Sequence, residues 1–210
     1  MYRLILLFLL FQPAWAENTK FVNPQVSLET EKGEIIIELL PNQAPITVDN
    51  FIKLINDHHY DGLIFHRVIK NFMIQTGGFT FDFTPKESNR SSIINESANG
   101  LKNQRGTIAM ARTNDPNSAR AQIFINHKDN DFLDTKGNKI GYTVFGRVIS
   151  GIKTVDKIAQ VPTRNFGQYQ NVPVDPIQII QATLIRTGSW TPLIEPESEK
   201  LSFERPKPLN

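Results

Sequence analysis

Short apolar runs separated by turn residues fill most of the chain between residues 25 and 186. In the run Gly33–Leu39, Ile35 and Ile37 alternate with glutamates and a further isoleucine, a period of two that indicates a strand with one buried face. Comparable runs predict seven more strands. They cover residues 25–30, 63–69, 72–76, 107–111, 122–125, 143–149 and 177–186.

Two segments have the helical period instead. Apolar residues recur at i, i+3, i+4 and i+7 from Val48 to Ile55, and Pro45 is suited to the first turn of the helix this predicts. A second helix is expected after Gly151, and a Pro/Gly/Asn-rich loop over 162–176 follows it. Because the helices do not alternate with the strands, a doubly wound parallel sheet is disfavoured. The pattern favours an antiparallel barrel or sandwich whose open ends the helices could cap.

Both ends of the chain depart from this pattern. Residues 1–16 combine Arg3, an apolar stretch over 4–11 and a small-x-small site at 14–16, which predicts a cleaved secretory signal peptide. The apolar stretch is too short to span a bilayer, although an N-terminal anchor or buried helix is the alternative. A short polar lead, 17–24, follows. Residues 187–210 hold four of the 13 prolines without apolar periodicity, which predicts a disordered or loosely docked tail.

Composition narrows the function classes. The 210 residues suit one domain, and 23 Lys+Arg against 21 Asp+Glu leave a net charge of +2 without a basic run interleaved with aromatics. Nucleic-acid binding is therefore not expected, nor membrane binding once the signal is removed. The chain contains no cysteine, which excludes a thiol nucleophile, disulfides and thiolate metal sites.

The spacing of candidate ligand residues does not match that of known metal sites or cofactor-binding motifs. Neither His66 nor His127 has a second histidine as a ligand partner at i+3 or i+4. The acidic stretch from Asp129 resembles a calcium loop, but Leu133 and Ile140 occupy positions that need oxygen ligands. No phosphate-binding or dinucleotide motif is present, so we expect no metal and no cofactor. A hydrolytic triad is a spatial arrangement that the sequence leaves open, and nothing local supports it.

Polar residues inside apolar strands mark the candidate site. Strand alternation predicts Arg67 on the face of Phe65 and Ile69, with His66 and Val68 on the other. It also predicts that Met73 projects with Gln75 and Gln122 with Phe124. If these faces meet, a guanidinium lies beside exposed aromatics, which is costly for stability and indicates function. In the alternative, Arg67 reaches a surface acid and the aromatics are ordinary core.

Two segments carry a resemblance to a known family. Residues 65–78 resemble the cyclophilin motif F-H-R-V-I-x-x-F-M-I-Q-G-G, and residues 122–126 resemble its Q-F-F-I-N motif. The stretches 110–113 and 141–146 are similar to the bacterial branch, and the likeness covers about 25–186. The resemblance implies a mainly β fold, a closed eight-stranded antiparallel barrel capped by two α-helices. It also implies peptidyl-prolyl cis-trans isomerase activity.

The resemblance also assigns roles to individual residues. Arg67 would be catalytic, and Gln75 would orient it. The proline pocket would be lined by Phe72, Met73, Phe124 and Leu133. The rest of the peptide would contact His66, Ala111, Arg112, Thr113, Gln122, Phe132 and Tyr142.

Four departures from the family pattern are visible. Thr76 replaces a usual glycine, Ile123 a phenylalanine, and Lys70-Asn71 a Pro-Gly pair. Phe132 stands where eukaryotic relatives carry tryptophan. The lost indole N–H is a hydrogen-bond donor, so weak cyclosporin binding is expected.

The resulting functional hypothesis is a monomeric, secreted, periplasmic isomerase. It would act on proline-containing segments of unfolded or exported proteins and accelerate their folding. One alternative is a chaperone or interaction module that binds proline-containing segments, with incidental isomerase activity. A structural or secretion-linked interaction protein acting through the tail is the other.

Overall fold

The fold, given by a computed structural model that describes residues 21–193, is mainly β with two α-helices. The helices are α1 (Pro45–Asn56) and α2 (Ile152–Ala159), and a short 3₁₀ helix spans Asp131–Leu133. The strands are β1 (Gln25–Thr30), β2 (Gly33–Leu39), β3 (Arg67–Ile69), β4 (Met73–Thr76), β5 (Thr107–Met110), β6 (Ile123–Asn126), β7 (Val144–Ser150), β8 (Thr163–Phe166), β9 (Tyr169–Pro173) and β10 (Ile179–Arg186).

Eight of these strands form one antiparallel sheet in the order β10-β1-β2-β7-β5-β6-β4-β3. The sheet curls into a half-barrel with β10 and β3 as its two edges. The closed barrel that the resemblance implies is therefore not confirmed, whereas the mainly β class, the eight antiparallel strands and the two helices are.

The inner face of the half-barrel holds the main core. Val68, Ile74, Ile125 and Ile108 lie opposite one another across β3, β4, β6 and β5, and all four are buried. Side chains on opposite residues of an antiparallel pair share a face, so this row packs as one layer. The predicted alternation in β2 is confirmed, since its buried residues are every second one.

Each helix begins at a position that its sequence explains. The side chain of Ala44 gives no cap to α1, and the Glu96 carboxylate accepts hydrogen bonds from the backbone N–H groups of Ile46 (3.1 Å) and Thr47 (2.8 Å). These groups have no partner within a helix, and the carboxylate also favours the positive end of the helix dipole. Gly151 precedes α2 with φ +85°, and a Cβ there would lie 2.1 Å from the carbonyl oxygen of Glu34. Only glycine fits that junction.

The segment 162–176, predicted as a loop, contains the hairpin β8–β9. Its strands pair only with each other, through a turn at Gly167 (φ +57°). All four residues of β8 are exposed. The alternation signal used for the other strands is therefore missing, because no apolar face of β8 is buried.

The described ends of the chain lie against each other and the domain. Ser189 donates its backbone N–H to the carbonyl of Val22 (2.7 Å), Trp190 packs on the main core, and Leu193 N–H donates to Asp49 Oδ1 (3.0 Å). Residues 187–193, the first seven of the predicted tail, therefore contact the domain. The predicted signal peptide and residues 194–210 lie outside the described residues.

Neither helix within residues 21–193 has the length and apolar character needed to cross a membrane.

Candidate active site

A row of side chains crosses the outer face of the half-barrel, on the side of the sheet opposite the main core. Arg67 in β3 pairs with Gln75 in β4, which pairs with Phe124 in β6, which pairs with Ala109 in β5. Directly opposed residues have their Cβ atoms about 4.5–5.5 Å apart. The strand register therefore places the guanidinium, the amide and the aromatic ring side by side.

This row borders a cavity of about 270 Å³ that has an apolar floor and a polar rim, referred to below as the apolar cavity. Met73, Phe124 and Leu133 are buried and belong to a small core cluster separate from the main one. Nine of the predicted site residues line the cavity: Arg67, Phe72, Met73, Gln75, Ala111, Arg112, Phe124, Leu133 and Tyr142.

Arg67 lies at the rim of this cavity, and one hydrogen bond to a residue of the range 21–193 leaves its other guanidinium N–H donors unused. Its Nη1 donates one long hydrogen bond, 3.4 Å, to Gln75 Oε1, and Gln75 Nε2 donates to Gln122 Oε1 at 2.9 Å. Within residues 21–193 Arg67 forms no ion pair with a carboxylate. The contact with a surface acid that the alternative requires is therefore not found in this part of the chain.

A wider groove of about 580 Å³ adjoins the apolar cavity. The two share Arg67, Gln75, Ala111 and Arg112, which form the wall between them. The groove also brings in the other predicted contacts His66, Thr113 and Gln122. Phe132 lines neither cavity, but its ring stacks on Phe72 with centroids 5.5 Å apart, and it is 60% exposed.

Arg112 forms a fixed part of the shared wall. Its guanidinium lies 4.5 Å from the centre of the Tyr142 ring and donates to the carbonyl oxygens of Ile140 (2.8 Å) and Thr113 (2.9 Å). Tyr142 in turn meets Phe124 edge to face. Arg112 is held by carbonyls and an aromatic face, whereas most donors of Arg67 have no acceptor among residues 21–193.

His66 is buried in the groove wall as a neutral side chain. Burial lowers its pKa to about 4, and hydrogen bonding to Gln122 opposes this only in part. The ring contacts Phe79 with centroids 4.8 Å apart, and Nδ1 has no hydrogen-bond partner in the part of the chain that the structure describes. At neutral pH His66 therefore contributes shape and packing without charge.

The predicted faces of Phe65 and His66 are wrong. Phe65 belongs to the main core, and His66 lines the groove together with Arg67. Strand β3 begins only at Arg67, so the alternation that holds from Arg67 to Ile69 does not extend back to these residues.

Several residues that line the groove were not among the predicted site residues. Gly78 approaches Gln122 so closely that a Cβ would lie 2.5 Å from its Nε2, and Gly77 has φ +94°. The paired glycines were a usable signal for a close approach. No local signal indicates Tyr169, because it lies in the β8–β9 hairpin, which the hydrophobic pattern did not predict. The other groove residues not predicted are Phe79, Pro85, Lys86, Glu87, Ser88, Ser118, Arg120 and Ala121.

The departures from the family pattern on β4 and β6 lie away from both cavities. Thr76 is buried and donates its hydroxyl to the carbonyl oxygen of Ile64 at 2.9 Å, and Ile123 is buried in the main core. In the β3–β4 turn, Asn71 adopts φ +57°, a left-handed conformation that asparagine tolerates better than most residues. On β4 and β6 these departures therefore lie on the face opposite Gln75 and Phe124.

Residues 21–193 contain no group of three or more His, Asp or Glu side chains placed to hold a metal ion.

Comparison with known proteins agrees with this geometry. Residues 25–184 match the family model described as cyclophilin type peptidyl-prolyl cis-trans isomerase/CLD. A peptidyl-prolyl cis-trans isomerase of Acinetobacter baylyi is 50% identical over 162 residues, covering 77% of this chain and 86% of that protein. Peptidyl-prolyl cis-trans isomerase A of Dickeya dadantii is 48% identical over 176 residues, covering 84% and 90%.

Solved structures give the same result. The crystal structure of a Cryptosporidium parvum cyclophilin type isomerase has a TM-score of 0.64 at 26% identity, covering 78% of this chain and 98% of that one. The chain therefore belongs to the cyclophilin family. The activity shared by these bacterial relatives follows: the protein is a peptidyl-prolyl cis-trans isomerase.

Proposed function

We propose that Arg67 accelerates rotation about the X–Pro bond by donating a hydrogen bond to the prolyl nitrogen of the twisted amide. The proline ring occupies the cavity floored by Met73, Phe124 and Leu133. The observation that carries this proposal is a permanently charged guanidinium with unused donors at the rim of an apolar cavity. A related cyclophilin crystallised in the presence of the dipeptide Ala-Pro supports a proline-sized occupant.

The chemistry needs no covalent intermediate. Amide resonance gives the X–Pro bond a barrier of about 18–20 kcal/mol, and uncatalysed exchange takes tens of seconds or longer. Twisting the bond localises a lone pair on nitrogen. A donor aimed at this nitrogen binds the twisted state better than either planar state, which lowers the barrier.

The size of this effect sets the role of the remaining residues. A hydrogen bond to a charged group contributes about 1.5–3 kcal/mol, equivalent to about one to two decades of rate. Further acceleration comes from holding the ring in the cavity and from the fixed dipoles around the rotating carbonyl. In this scheme Gln75 restrains Arg67, while Phe72, Met73, Phe124 and Leu133 hold the ring. The rest of the peptide contacts His66, Ala111, Arg112, Thr113, Gln122, Phe132 and Tyr142.

Replacement of Arg67 tests this mechanism. Arg67→Ala is expected to lower kcat/KM on a short prolyl peptide at least 10- to 100-fold while leaving the free energy of unfolding within about 1 kcal/mol. Arg147→Ala is the matched control, because Arg147 is exposed on β7 and paired with Glu38. Turnover by Arg67→Ala within twofold of wild type would refute the role of the guanidinium.

The cellular role we propose is the folding of exported proteins in a periplasm, with the protein acting as a monomer. The sequence of residues 1–16 supports export, and slow prolyl isomerisation gives exported chains a step to accelerate. Signal-peptide cleavage after residue 16, detected by mass spectrometry of protein recovered from the periplasm, is the expected result.

We also propose that the sheet forms a closed barrel, in which its two edges are joined by hydrogen bonds. Phe65 N–H donates to the carbonyl of Ile177 (3.0 Å), and Ile179 N–H donates to the carbonyl of Leu63 (2.8 Å), next to the two edge strands. These bonds support a closed barrel in which the two edges of the sheet are joined over only a few residues. In this barrel α1 and α2 lie at the two ends.

A binding role independent of turnover is the second candidate function. Phe81 and Phe166 are 56% and 45% exposed, and Phe83 links Phe166 to Phe79 of the groove by ring contacts of 4.8 and 4.6 Å. An exposed aromatic surface beside a peptide groove favours binding of unfolded segments. Suppression of client aggregation that survives Arg67→Ala would support this role.

A further inference from the structure

Four polar side chains are buried behind the apolar cavity without lining it. Asn126, Asn103 and Asn130 are 0%, 1% and 2% exposed, and Asp134 is 8% exposed. None of them borders either cavity of the site, and the isomerase mechanism above assigns them no role. Buried amides and carboxylates are costly unless they are hydrogen-bonded, so such a cluster needs a physical explanation.

The four side chains form one continuous hydrogen-bond network. Asn130 Nδ2 donates to Asn126 Oδ1 at 2.7 Å. Asn126 Nδ2 donates to Thr107 Oγ1 (2.9 Å) and to Asn103 Oδ1 (3.2 Å). Asn103 donates both its Nδ2 (3.0 Å) and its backbone N–H (2.8 Å) to Asp134 Oδ1. Every member is paired, and a fully paired buried network fixes one arrangement of the segments it joins.

The network ends on the backbone of the cavity wall. Asn130 Nδ2 also donates to the carbonyl of Phe72 at 2.9 Å, and the same carbonyl accepts the backbone N–H of His127 at 2.9 Å. Phe72 lines the cavity and stacks on Phe132. One wall of the cavity is thus tied to the network through its main chain.

The opposite wall is tied to the same network at both its ends. Asn130 and Asp134 flank the 3₁₀ helix that carries Phe132 and Leu133. The backbone N–H of Asn130 donates to the carbonyl of Asn103 at 2.8 Å. The two walls therefore meet in a single side chain, Asn130.

We propose that Asn130, supported by Asn126, Asn103 and Asp134, is a positioning residue of the isomerase. It sets the separation of Phe72 from Leu133 and hence the width of the cavity for a pyrrolidine ring. This inference rests on the proposed function in that it takes this cavity as the proline site. It acts on binding of the ring, whereas Arg67 acts on rotation of the bond.

Asn130→Asp is the sharpest test because it keeps the shape of the side chain. A carboxylate lacks both N–H donors and would face two oxygens, the Phe72 carbonyl and Asn126 Oδ1. KM for a prolyl peptide is expected to rise about tenfold with kcat within twofold of wild type, because Arg67 is untouched. Should the variant fail to fold, Asn130→Ser, which keeps one donor in a smaller side chain, is expected to give about a threefold rise.

A second readout separates positioning from general destabilisation. Affinity is measured by NMR titration for a prolyl peptide and for the same peptide with alanine in place of proline. Asn130→Asp is expected to weaken the first about tenfold and the second less than twofold. The control Thr30→Val removes another buried hydrogen bond, from Thr30 Oγ1 to the Gly33 carbonyl at 2.6 Å. It lies in the β1–β2 hairpin, so stability should fall while both affinities and KM stay unchanged.

The outcomes discriminate between the proposals. An unchanged KM in folded Asn130→Asp, a fall in kcat alone, or equal weakening of both peptides overturns the positioning role. Failure of the arginine mechanism would appear instead as normal turnover by Arg67→Ala. That result leaves the KM of the Asn130 variants free to report on the cavity.

Discussion

The two faces of strands β3, β4, β5 and β6 differ in what their side chains do, although they share one backbone. The inner face carries the row of Val68, Ile74, Ile125 and Ile108, each at most 2% exposed. The outer face carries the row that begins with Arg67 and borders the two cavities. Because successive strand residues point to opposite faces, stability and chemistry are separated by a shift of one position.

The largest effect that sharpens this comparison is expected from truncating a main-core side chain on the neighbouring strand β7. Phe145 is fully buried and packs edge to face on Phe51, with centroids 5.1 Å apart. Phe145→Ala is expected to lower the free energy of unfolding by about 3–5 kcal/mol, measured by urea denaturation. The kcat/KM of the molecules that remain folded is expected to stay within about threefold of wild type, because no cavity residue is removed.

Phe166→Ala provides the control for Phe145→Ala. Phe166 is 45% exposed in β8, so the same truncation should cost less than about 1 kcal/mol. Equal destabilisation by the two variants, or loss of turnover in folded Phe145→Ala, would contradict the separation of the two faces.

The next effect is a pH dependence of stability that originates in the groove wall. Burial lowers the pKa of His66 to about 4 from an unfolded value of 6.5. Below pH 6.5 the unfolded chain takes up a proton at this position, whereas the folded protein does not until about pH 4. The contribution of the neutral, buried His66 to the free energy of unfolding is therefore fully present above pH 6.5. It falls as the pH drops from 6.5 to 4, and it is lost below pH 4. The shift corresponds to on the order of 3 kcal/mol.

Comparison with His66→Phe isolates this contribution. His59 is also buried with a lowered pKa and acts in the same direction, so wild type alone does not separate the two. The difference in unfolding free energy between wild type and His66→Phe should change across pH 4–6.5 and stay constant from pH 7 to 8. A difference that is flat across the whole range would show that His66 titrates normally.

Strand periodicity predicted the separation of faces wherever the residues are truly paired. Arg67, Gln75 and Phe124 lie on one face as their alternation requires, and both helices begin where the apolar period and Pro45 or Gly151 place them. The same rule predicts the wrong faces for Phe65 and His66, because these two residues precede Arg67, the first paired residue of β3.

Other features could not be predicted because their partners are distant in the chain. The hydrogen bond from Asn130 to the Phe72 carbonyl joins residues 58 positions apart, and that from Asn103 to Asp134 joins residues 31 apart. Neither leaves a local pattern. The β8–β9 hairpin buries no apolar face of β8, so it has no hydrophobic signal either. Both features required the folded arrangement to bring the groups together.

The smallest expected effect concerns the outer row itself. Gln75 accepts a hydrogen bond from Arg67 at 3.4 Å and donates one to Gln122 at 2.9 Å, so it restrains the guanidinium without contributing to the main core. Gln75→Ala is expected to lower kcat about five- to tenfold, equivalent to about 1 kcal/mol, with the free energy of unfolding nearly unchanged. Gln122→Ala lies one hydrogen bond further from Arg67, so it should lower kcat only about two- to threefold. A larger loss in Gln122→Ala than in Gln75→Ala would mean that the guanidinium is held by the groove and not by its cross-strand partner.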